Sequence, residues 1–135
     1  MKSVVAKAVL DASALLAHLF DEPGNSVVID ALGEGVVMSS VNVAEVLTKL
    51  AERGIAADEA LEQLGSTGVL EAIEVVDFGL RDACEVARLR QSTADLGLSL
   101  GDRACLALAL QTGLPMLTAD RQWTSLQSFH VRCIR

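Results

Sequence analysis

The sequence predicts one α/β domain in which helices cover both faces of a mostly parallel sheet. The chain has 135 residues, which is the size of one common domain. Its apolar fraction of 51% is enough for a substantial core and argues against disorder. Short apolar segments alternate with segments of helical spacing, and this alternation is typical of parallel strands that are buried on both sides. We find no internal repeat or linker and therefore assign residues 1–135 to one domain.

The first half of the chain predicts two strands and four helices. Two short, β-prone runs predict strands at 4–10 and 36–40. Apolar residues at helical spacing predict helices at 12–20, 26–32, 42–53 and about 57–64. A glycine follows each of the last three helices, as is typical of a helix end.

The second half of the chain predicts three more strands. These cover 71–78, 115–120 and 129–134, and the alternation of the last one suits an edge strand. Leu80, Ala83, Cys84 and Ala87 have helical spacing, which predicts a helix continuing to about Gln91. A loop is expected at 92–101, and a short helix or turn at 121–126.

The segment 98–109, LSLGDRACLALA, leads into a helix that ends at Gly113. From Ala104 to Leu110 every residue is apolar or small, which predicts a helix that is buried all round. Asp102 lies at the entrance to this helix, where a carboxylate is unexpected.

The charge of the chain disfavours one class of function. There are 11 Lys and Arg against 18 Asp and Glu, a formal net charge of -7, so binding of nucleic acid by bulk charge is disfavoured. The balance suits a protein that binds divalent cations or a basic partner. Most basic residues are arginines, which favour bidentate phosphate contacts. A local surface that binds nucleic acid therefore remains an alternative. Arg103, Arg121, Arg132 and Arg135 lie in the last third of the chain.

The three cysteines and the N-terminal segment bear on the compartment. Cys84, Cys105 and Cys133 lack metal-ligand spacing, and we interpret them as reduced core residues of a cytoplasmic protein. Lys7 and Asp11 interrupt the N-terminal apolar run, so we expect no signal peptide. No run reaches the roughly 20 apolar residues that a membrane span needs.

Four acids fall where ligands bind in open parallel sheets, which is at the carboxyl ends of the strands. Asp11 and Asp120 end predicted strands, and Glu45 and Asp102 lie in the first turns of predicted helices. All four could therefore point into one crevice.

Helix capping is the alternative for each acid taken alone. Asp11 and Asp120 suit N-caps, and the pairs Asn42–Glu45 and Ser99–Asp102 suit capping boxes. Four acids at the same predicted edge nevertheless favour a shared site.

Clustered carboxylates repel one another, so a protein that holds them together needs a cation. Oxygen ligands with no nearby His or Cys select Mg²⁺ or Mn²⁺ rather than Zn²⁺. Such an ion lowers the pKa of bound water and stabilises charge on a phosphoryl oxygen. The chemistry that this implies is hydrolysis of a phosphodiester.

Four segments together resemble a PIN domain, specifically a VapC-type toxin of bacterial toxin–antitoxin modules. They are VLDASALLA (9–17), SSVNVAEVLTKL (39–50), LSLGDRACLALA (98–109) and LTADRQW (117–123). The resemblance implies a three-layer α/β/α sandwich and a Mg²⁺-dependent endoribonuclease, with Mn²⁺ able to substitute. It also implies an RNA substrate, a homodimer and a VapB-like antitoxin through which alone operator DNA would be contacted.

The resemblance also assigns site residues. Asp11 and Asp102 would bind the metal most directly, whereas Glu45 and Asp120 would be direct or water-mediated ligands, or would orient the attacking water. Ser13 and Thr118 match supporting positions near the metal, for which local hydrogen bonding is an equal alternative. Asn42 is interpreted first as the cap of its helix and second as a supporting site residue.

Other residues and functions are weighed against simpler explanations. Arg103 and Arg121 flank candidate acids and could hold RNA phosphates, or form salt bridges with neighbouring acids. His18 and His130 lack metal-like partners, and Trp123 suits packing better than stacking on RNA. A phosphoryl-acceptor role for Asp11 is disfavoured because no lysine follows Lys49. A catalytically inactive PIN-like interaction module remains the alternative function.

Overall fold

The computed structural model describes residues 6–126 and 129–135. Within these residues five strands form one sheet in the order β3-β2-β1-β4-β5, and every neighbouring pair is parallel. The strands are β1 (Ala8–Leu10), β2 (Val36–Ser39), β3 (Ile73–Val76), β4 (Met116–Thr118) and β5 (Val131–Cys133). The predicted parallel sheet is confirmed, with β5 at one edge.

Seven α-helices and two 3₁₀ turns connect the strands within the described residues. The helices are α1 (Ala12–Leu19), α2 (Asn25–Glu34), α3 (Ser40–Glu52), α4 (Ala57–Ser66), α5 (Val69–Ala72), α6 (Leu80–Ser92) and α7 (Leu100–Thr112). The 3₁₀ turns are Ala94–Leu96 and Arg121–Ser125. None of the described helices is long and apolar enough to cross a membrane.

The two faces of the sheet carry separate apolar cores. Leu10 and Met38 pack on the face covered by α1 to α5. Val9 and Val37, their neighbours in the same strands, pack on the opposite face with α6 and α7. Successive side chains of a strand point to opposite faces, so continuous apolar strands bury both faces. The three-layer α/β/α sandwich is confirmed.

Several predicted strand boundaries were too wide. Residues 6 and 7 of the predicted strand at 4–10 precede β1, which begins at Ala8, and residues 4 and 5 lie outside the described residues. Ser40 belongs to α3 rather than to β2, because the Ser39 side chain caps that helix by accepting the Val41 amide at 3.2 Å. The predicted strands at 115–120 and 129–134 are likewise confined to β4 and β5.

Helix α5 was not predicted. Its residues Val69–Ala72 precede β3, so Glu71 and Ala72 are helical rather than extended. The loop expected at 92–101 contains a 3₁₀ turn, and α7 already begins at Leu100.

The predicted apolar face of α6 was wrong. Leu80 is 84% exposed and Cys84 is also exposed, whereas Val86 and Leu89 form the buried stripe. Val86 and Leu89 lie further along the helix, whereas Leu80 is its first residue, so the predicted spacing did not identify the buried face. The interpretation of all three cysteines as core residues was wrong for Cys84, and only Cys105 is fully buried.

Helix α7 is buried over most of the apolar segment but not all of it. Ala104 to Leu108 are buried, whereas Leu110 is 46% exposed, so the prediction of a helix that is buried all round was wrong at its last turn. Trp123 is 1% exposed and packs with α7 in the second core, which confirms its packing role.

Candidate active site

Asp11 occupies the junction between β1 and α1. Its amide donates to the carbonyl of Leu117 in β4 at 3.1 Å, and its side chain caps α1 by accepting the Ala14 amide at 2.8 Å. The residue is 5% exposed. Asp11 is thus fixed to β4 through its backbone amide and to α1 through its carboxylate.

Two hydroxyl groups hold the Asp11 carboxylate from either side. Ser13 Oγ donates to Oδ1 at 2.7 Å, and Thr118 Oγ1 donates to Oδ2 at 2.5 Å. The amides of Ala119 and Asp120 donate in turn to Ser13 and Thr118, at 2.9 and 3.1 Å. Both hydroxyls therefore link the end of β4 to Asp11. Ser13 and Thr118 make the local hydrogen bonds that were the alternative to a supporting role, and the same bonds place them beside the acid.

Burial sets the ionisation of Asp11. It raises the pKa from the ordinary 3.8 to about 6, and the negative charge of Asp102 adds to this effect. The hydrogen bonds from Thr118, Ala14 and Ser13 act in the opposite direction but do not outweigh desolvation. The ionised form of Asp11 therefore costs free energy unless a cation is present.

Glu45 lies in α3 and is held by Asn42. The Asn42 side chain is 1% exposed, and its Nδ2 donates to Glu45 Oε1 at 2.9 Å and to the carbonyl of Gly101 at 3.0 Å. Because α3 begins at Ser40 with Ser39 as its cap, the interpretation of Asn42 as the helix cap was wrong. Asn42 instead bridges α3 and α7.

Asp102 lies in the first turn of α7 and forms a capping box with Ser99. The Asp102 amide donates to Ser99 Oγ at 3.1 Å, and the Ser99 amide donates to Asp102 Oδ2 at 2.9 Å. Asp120 similarly caps the 3₁₀ turn Arg121–Ser125 by accepting the Gln122 amide at 2.9 Å. The capping contacts anticipated for these two acids are therefore present.

The structure brings all four acids to one pocket of about 220 Å³. The pocket is lined by Asp11, Ala12, Ser13, Leu16, Glu45, Lys49, Asp102, Asp120 and Trp123. Asn42 and Thr118 lie behind this lining and contact Glu45 and Asp11. Asp11, Asp102 and Asp120 therefore cap helical turns and also line this pocket.

The donors of the pocket suit a hydrated hard cation. Among the residues that the structure describes, no three His, Cys, Asp or Glu side chains are placed to hold one ion together. Mg²⁺ keeps several waters and binds through one or two carboxylates, so water-mediated ligation matches this spacing. The buried charge of Asp11 is a second feature that a cation would offset, and we conclude that the residues fit such an ion.

Cys105 lies near the acids but is not a metal ligand. Burial raises the pKa of its thiol, and the negative charges of Asp11, Asp102 and Glu45 raise it further. The thiol therefore stays protonated, whereas a metal ligand must be a thiolate.

Lys49 lines the pocket and was not singled out from the sequence. It follows Glu45 by four residues, and side chains at this spacing share a helix face, so the spacing could have indicated it. Its ammonium group also lies 3.4 Å from Glu52. The lining of the pocket thus includes one positively charged side chain, which could face a phosphate.

The two arginines predicted at the site have different surroundings. Arg103 is half-buried and donates from a terminal guanidinium nitrogen to the carbonyl of Val86 in α6 at 2.9 Å. Arg121 is exposed and follows Asp120 directly. Contact of either residue with RNA stays a prediction.

Comparison with known proteins agrees with the fold. No curated protein sequence matches the chain. A DNA-bound VapBC from Salmonella typhimurium has a TM-score of 0.72 at 18% identity, covering 97% of this chain and 100% of that one. A toxin–antitoxin complex from Klebsiella pneumoniae has a TM-score of 0.70 at 19% identity, with 96% and 98% covered. VapBC-5 from Mycobacterium tuberculosis has a TM-score of 0.60 at 24% identity, with 97% and 99% covered.

These TM-scores establish a shared fold, and at identities below 25% they establish no more than that. The family assignment has a separate basis, because the family model described as PIN domain matches residues 8–127, which is most of the chain. The chain belongs to the PIN domain family.

Proposed function

We propose that this chain is a metal-dependent endoribonuclease of the VapC type. The observation that carries the proposal is the pocket in which carboxylates from four separate segments of the chain meet: Asp11, Glu45, Asp102 and Asp120. Membership of the PIN family and the likeness to solved VapBC and toxin–antitoxin complexes support the same function.

Mg²⁺ is the proposed cofactor, with Mn²⁺ as a substitute. Bound in the pocket, it would lower the pKa of a water molecule and offset charge on a phosphoryl oxygen. Asp11 and Asp102 are the proposed direct ligands, and Glu45 and Asp120 would bind directly or through water. Ser13 and Thr118 would keep the Asp11 carboxylate in one orientation through their hydrogen bonds.

The residues of the pocket suit the proton and charge changes of phosphodiester hydrolysis. The water oxygen bonds to phosphorus, and one phosphorus–oxygen ester bond breaks. Glu45 or Asp120 accepts the proton from the water, and the leaving oxygen takes a proton from solvent. Lys49 would contact a phosphate oxygen, since its side chain lines the same pocket.

The proposed inhibitor is a VapB-like antitoxin with a basic segment. A pocket ringed by carboxylates in a protein of net charge -7 attracts such a segment. An arginine inserted among the acids would occupy the space of the metal and the substrate phosphate. Operator DNA would be bound by the antitoxin rather than by this chain, and we expect a cytoplasmic homodimer.

Replacing Asp102 by Asn tests the function with little risk to folding. An asparagine at 102 keeps an oxygen that can accept the Ser99 amide, so the capping box survives while the charge is lost. We expect the rate of Mg²⁺-dependent RNA cleavage to fall by roughly 100-fold or more. This exceeds the loss that is typical when a residue that only hydrogen-bonds to a metal ligand is replaced. The readout is the rate of RNA fragment formation with excess Mg²⁺ and with a chelator.

Asp95→Asn is the matched control, because Asp95 is exposed in the 3₁₀ turn Ala94–Leu96 and does not line the pocket. It should cleave RNA like the parent chain. Full cleavage by a folded Asp102→Asn variant, or cleavage that persists in chelator, would contradict the proposal. A folded parent chain that neither binds Mn²⁺ nor cleaves RNA would instead favour the inactive interaction module.

A further inference from the structure

We infer that Asn42 is a positioning residue, which holds the Glu45 carboxylate against the first turn of α7 in a space that Gly101 leaves open. The inference rests on the proposed function, because it assigns Asn42 to the geometry of the proposed metal site. It concerns a residue that neither lines the pocket nor caps its helix.

The orientation of the Asn42 amide follows from its two neighbours. The carboxylate oxygen of Glu45 and the carbonyl of Gly101 are both acceptors, so the nitrogen must face them. The two acceptors lie on different helices, and one amide group therefore joins α3 to α7. Asp102 is the next residue along α7, so this link sets where Glu45 lies relative to a second acid of the pocket.

Gly101 supplies the space for this contact. A Cβ atom placed there would lie 2.5 Å from Glu45 Cδ and 2.6 Å from Glu45 Oε1. Any other residue would therefore push the carboxylate away from its present place. The glycine is explained by the close approach of Glu45 and not by a left-handed backbone, because Gly101 is absent from the positive-φ glycines.

Asn42 is not optimised for stability alone. Its side chain is 1% exposed, and its Oδ1 has no hydrogen-bond partner within residues 6–126 and 129–135. A buried oxygen left without a donor is unfavourable. An apolar side chain of the same shape would avoid that cost, so the amide is best explained by what its nitrogen does to Glu45.

Asn42→Leu is the first test, because leucine has a similar shape and removes both the donor and the unsatisfied oxygen. The carbonyl of residue 101 keeps the amide of residue 105, its partner in any α-helix. We expect the midpoint of thermal unfolding to be kept or raised. The Kd for Mn²⁺ should rise, and kcat for RNA cleavage should fall, each by roughly 10- to 100-fold, with little change in KM.

Ser40→Ala is the matched control on the same helix. Ser40 Oγ accepts the Phe78 amide at 3.0 Å, away from the pocket. This variant should lower stability and leave the Kd for Mn²⁺ unchanged. If Asn42→Leu behaves like the control, with lower stability and unchanged Mn²⁺ affinity, the positioning role is wrong.

Gly101→Ala disturbs Glu45 from the opposite side. Alanine favours a helix more than glycine does, and the atoms that it meets are the flexible end of the Glu45 side chain. Stability should be kept or raised while Mn²⁺ affinity falls. An alanine variant with parental Mn²⁺ affinity would overturn the role given to the space at Gly101.

A double-mutant cycle with Glu45→Ala asks whether Asn42 acts through Glu45. In that background Asn42→Leu should leave the remaining Mn²⁺ affinity unchanged. An equal loss of affinity in both backgrounds would show that Asn42 acts independently of Glu45, and would overturn the inference.

A crystal structure of metal-free Asn42→Leu separates this inference from the proposed function. The Glu45 carboxylate should leave its place beside Gly101, whether or not the parent chain binds Mn²⁺ or cleaves RNA. A carboxylate that stays there without the amide would overturn the inference. If the parent chain neither binds Mn²⁺ nor cleaves RNA, the proposed function fails, and this structure still decides whether Asn42 places Glu45.

Discussion

Asp11→Asn should stabilise the metal-free protein at neutral pH and have much less effect in acid. The substitution removes a carboxyl group that is 5% exposed and keeps its shape. Asparagine caps a helix about as well as aspartate. Its oxygen can accept the bonds from Ser13 and Ala14, and its nitrogen can donate to Thr118 Oγ1, which now donates to Asp11.

The magnitude follows from the pKa of Asp11. Burial raises it to about 6 from the ordinary 3.8, a difference that corresponds to about 3 kcal/mol. Because the folded pKa is the higher one, the unfolded chain loses its proton first as the pH rises. Stability is therefore greatest below about pH 4 and is lost as the pH rises through about 6. Asparagine has no such dependence, so its advantage over aspartate should grow by about 2 kcal/mol between about pH 4.5 and about pH 7.5.

Urea unfolding in chelator at these two pH values measures the effect. The chain has one Trp and no Tyr, and Trp123 is buried beside the pocket, so its fluorescence reports unfolding of this region. Groups far from the pocket titrate equally in both proteins and cancel in the difference. Asp95→Asn should show no such pH dependence. An Asp11→Asn advantage that is the same at both pH values would mean that Asp11 ionises normally, and would refute the reasoning.

Three further predictions concern the metal and the arginines. Mg²⁺ or Mn²⁺ should raise the melting temperature of the parent chain at about pH 7.5 more than that of Asp11→Asn, and equal shifts would place the ion elsewhere. Arg121→Gln should lower the slope of log RNA affinity against log salt by about 0.7 for one lost phosphate contact. An unchanged slope would show that Arg121 does not contact an RNA phosphate. Arg103→Gln should lower the unfolding free energy by about 1 kcal/mol, since the bond to Val86 is lost, and a fall in the salt slope as well would show that Arg103 also contacts a phosphate.

The parallel direction of the strands could be predicted from the sequence because the central strands are short and largely apolar. Their order was not predicted, apart from the place of β5 at an edge. Val9 and Leu10 face opposite cores, so no alternation with polar residues is needed. Helix α5 could not be predicted in the same way. Its four residues, Val69–Ala72, are too few to show a helical period, and they merge with the apolar start of β3.

The face of α6 shows a limit of reasoning from spacing. Ala83, Cys84 and Ala87 repeat at helical intervals, yet all three are exposed, while Val86 and Leu89 are buried. Small apolar residues contribute little to burial, and two larger side chains outweigh them. The predicted face also included the large side chain of Leu80, which is 84% exposed at the first position of the helix, so spacing alone does not select the buried face.

Asp11 and Asp120 could be placed at one edge of the sheet from the sequence, because each follows a strand and a parallel sheet gathers the ends of its strands. Asp102 instead follows α6 and a 3₁₀ turn, and Glu45 lies in the second turn of α3, so the packing of α3 and α7 brings these two acids to the pocket. The role of Asn42 could not be predicted, because two features decide it. Helix α3 begins at Ser40, which turns Asn42 inward. Its other partner, Gly101, is 59 residues away in the chain, and no local pattern reports such a contact.

Capping and a shared site were alternative explanations of these acids, and the structure shows that a capping acid can also line the pocket. Asp102 receives the Ser99 amide on Oδ2 and also lines the pocket. Asp11 receives the Ala14 amide on Oδ1 and does the same. A capping bond fixes a carboxylate relative to the first turn of its helix, and ligands of a metal need such fixed geometry. The capping contacts therefore hold Asp11, Asp102 and Asp120 at the pocket, whereas Asn42 holds Glu45. Replacing a capping acid by its amide separates capping from the proposed role in metal binding.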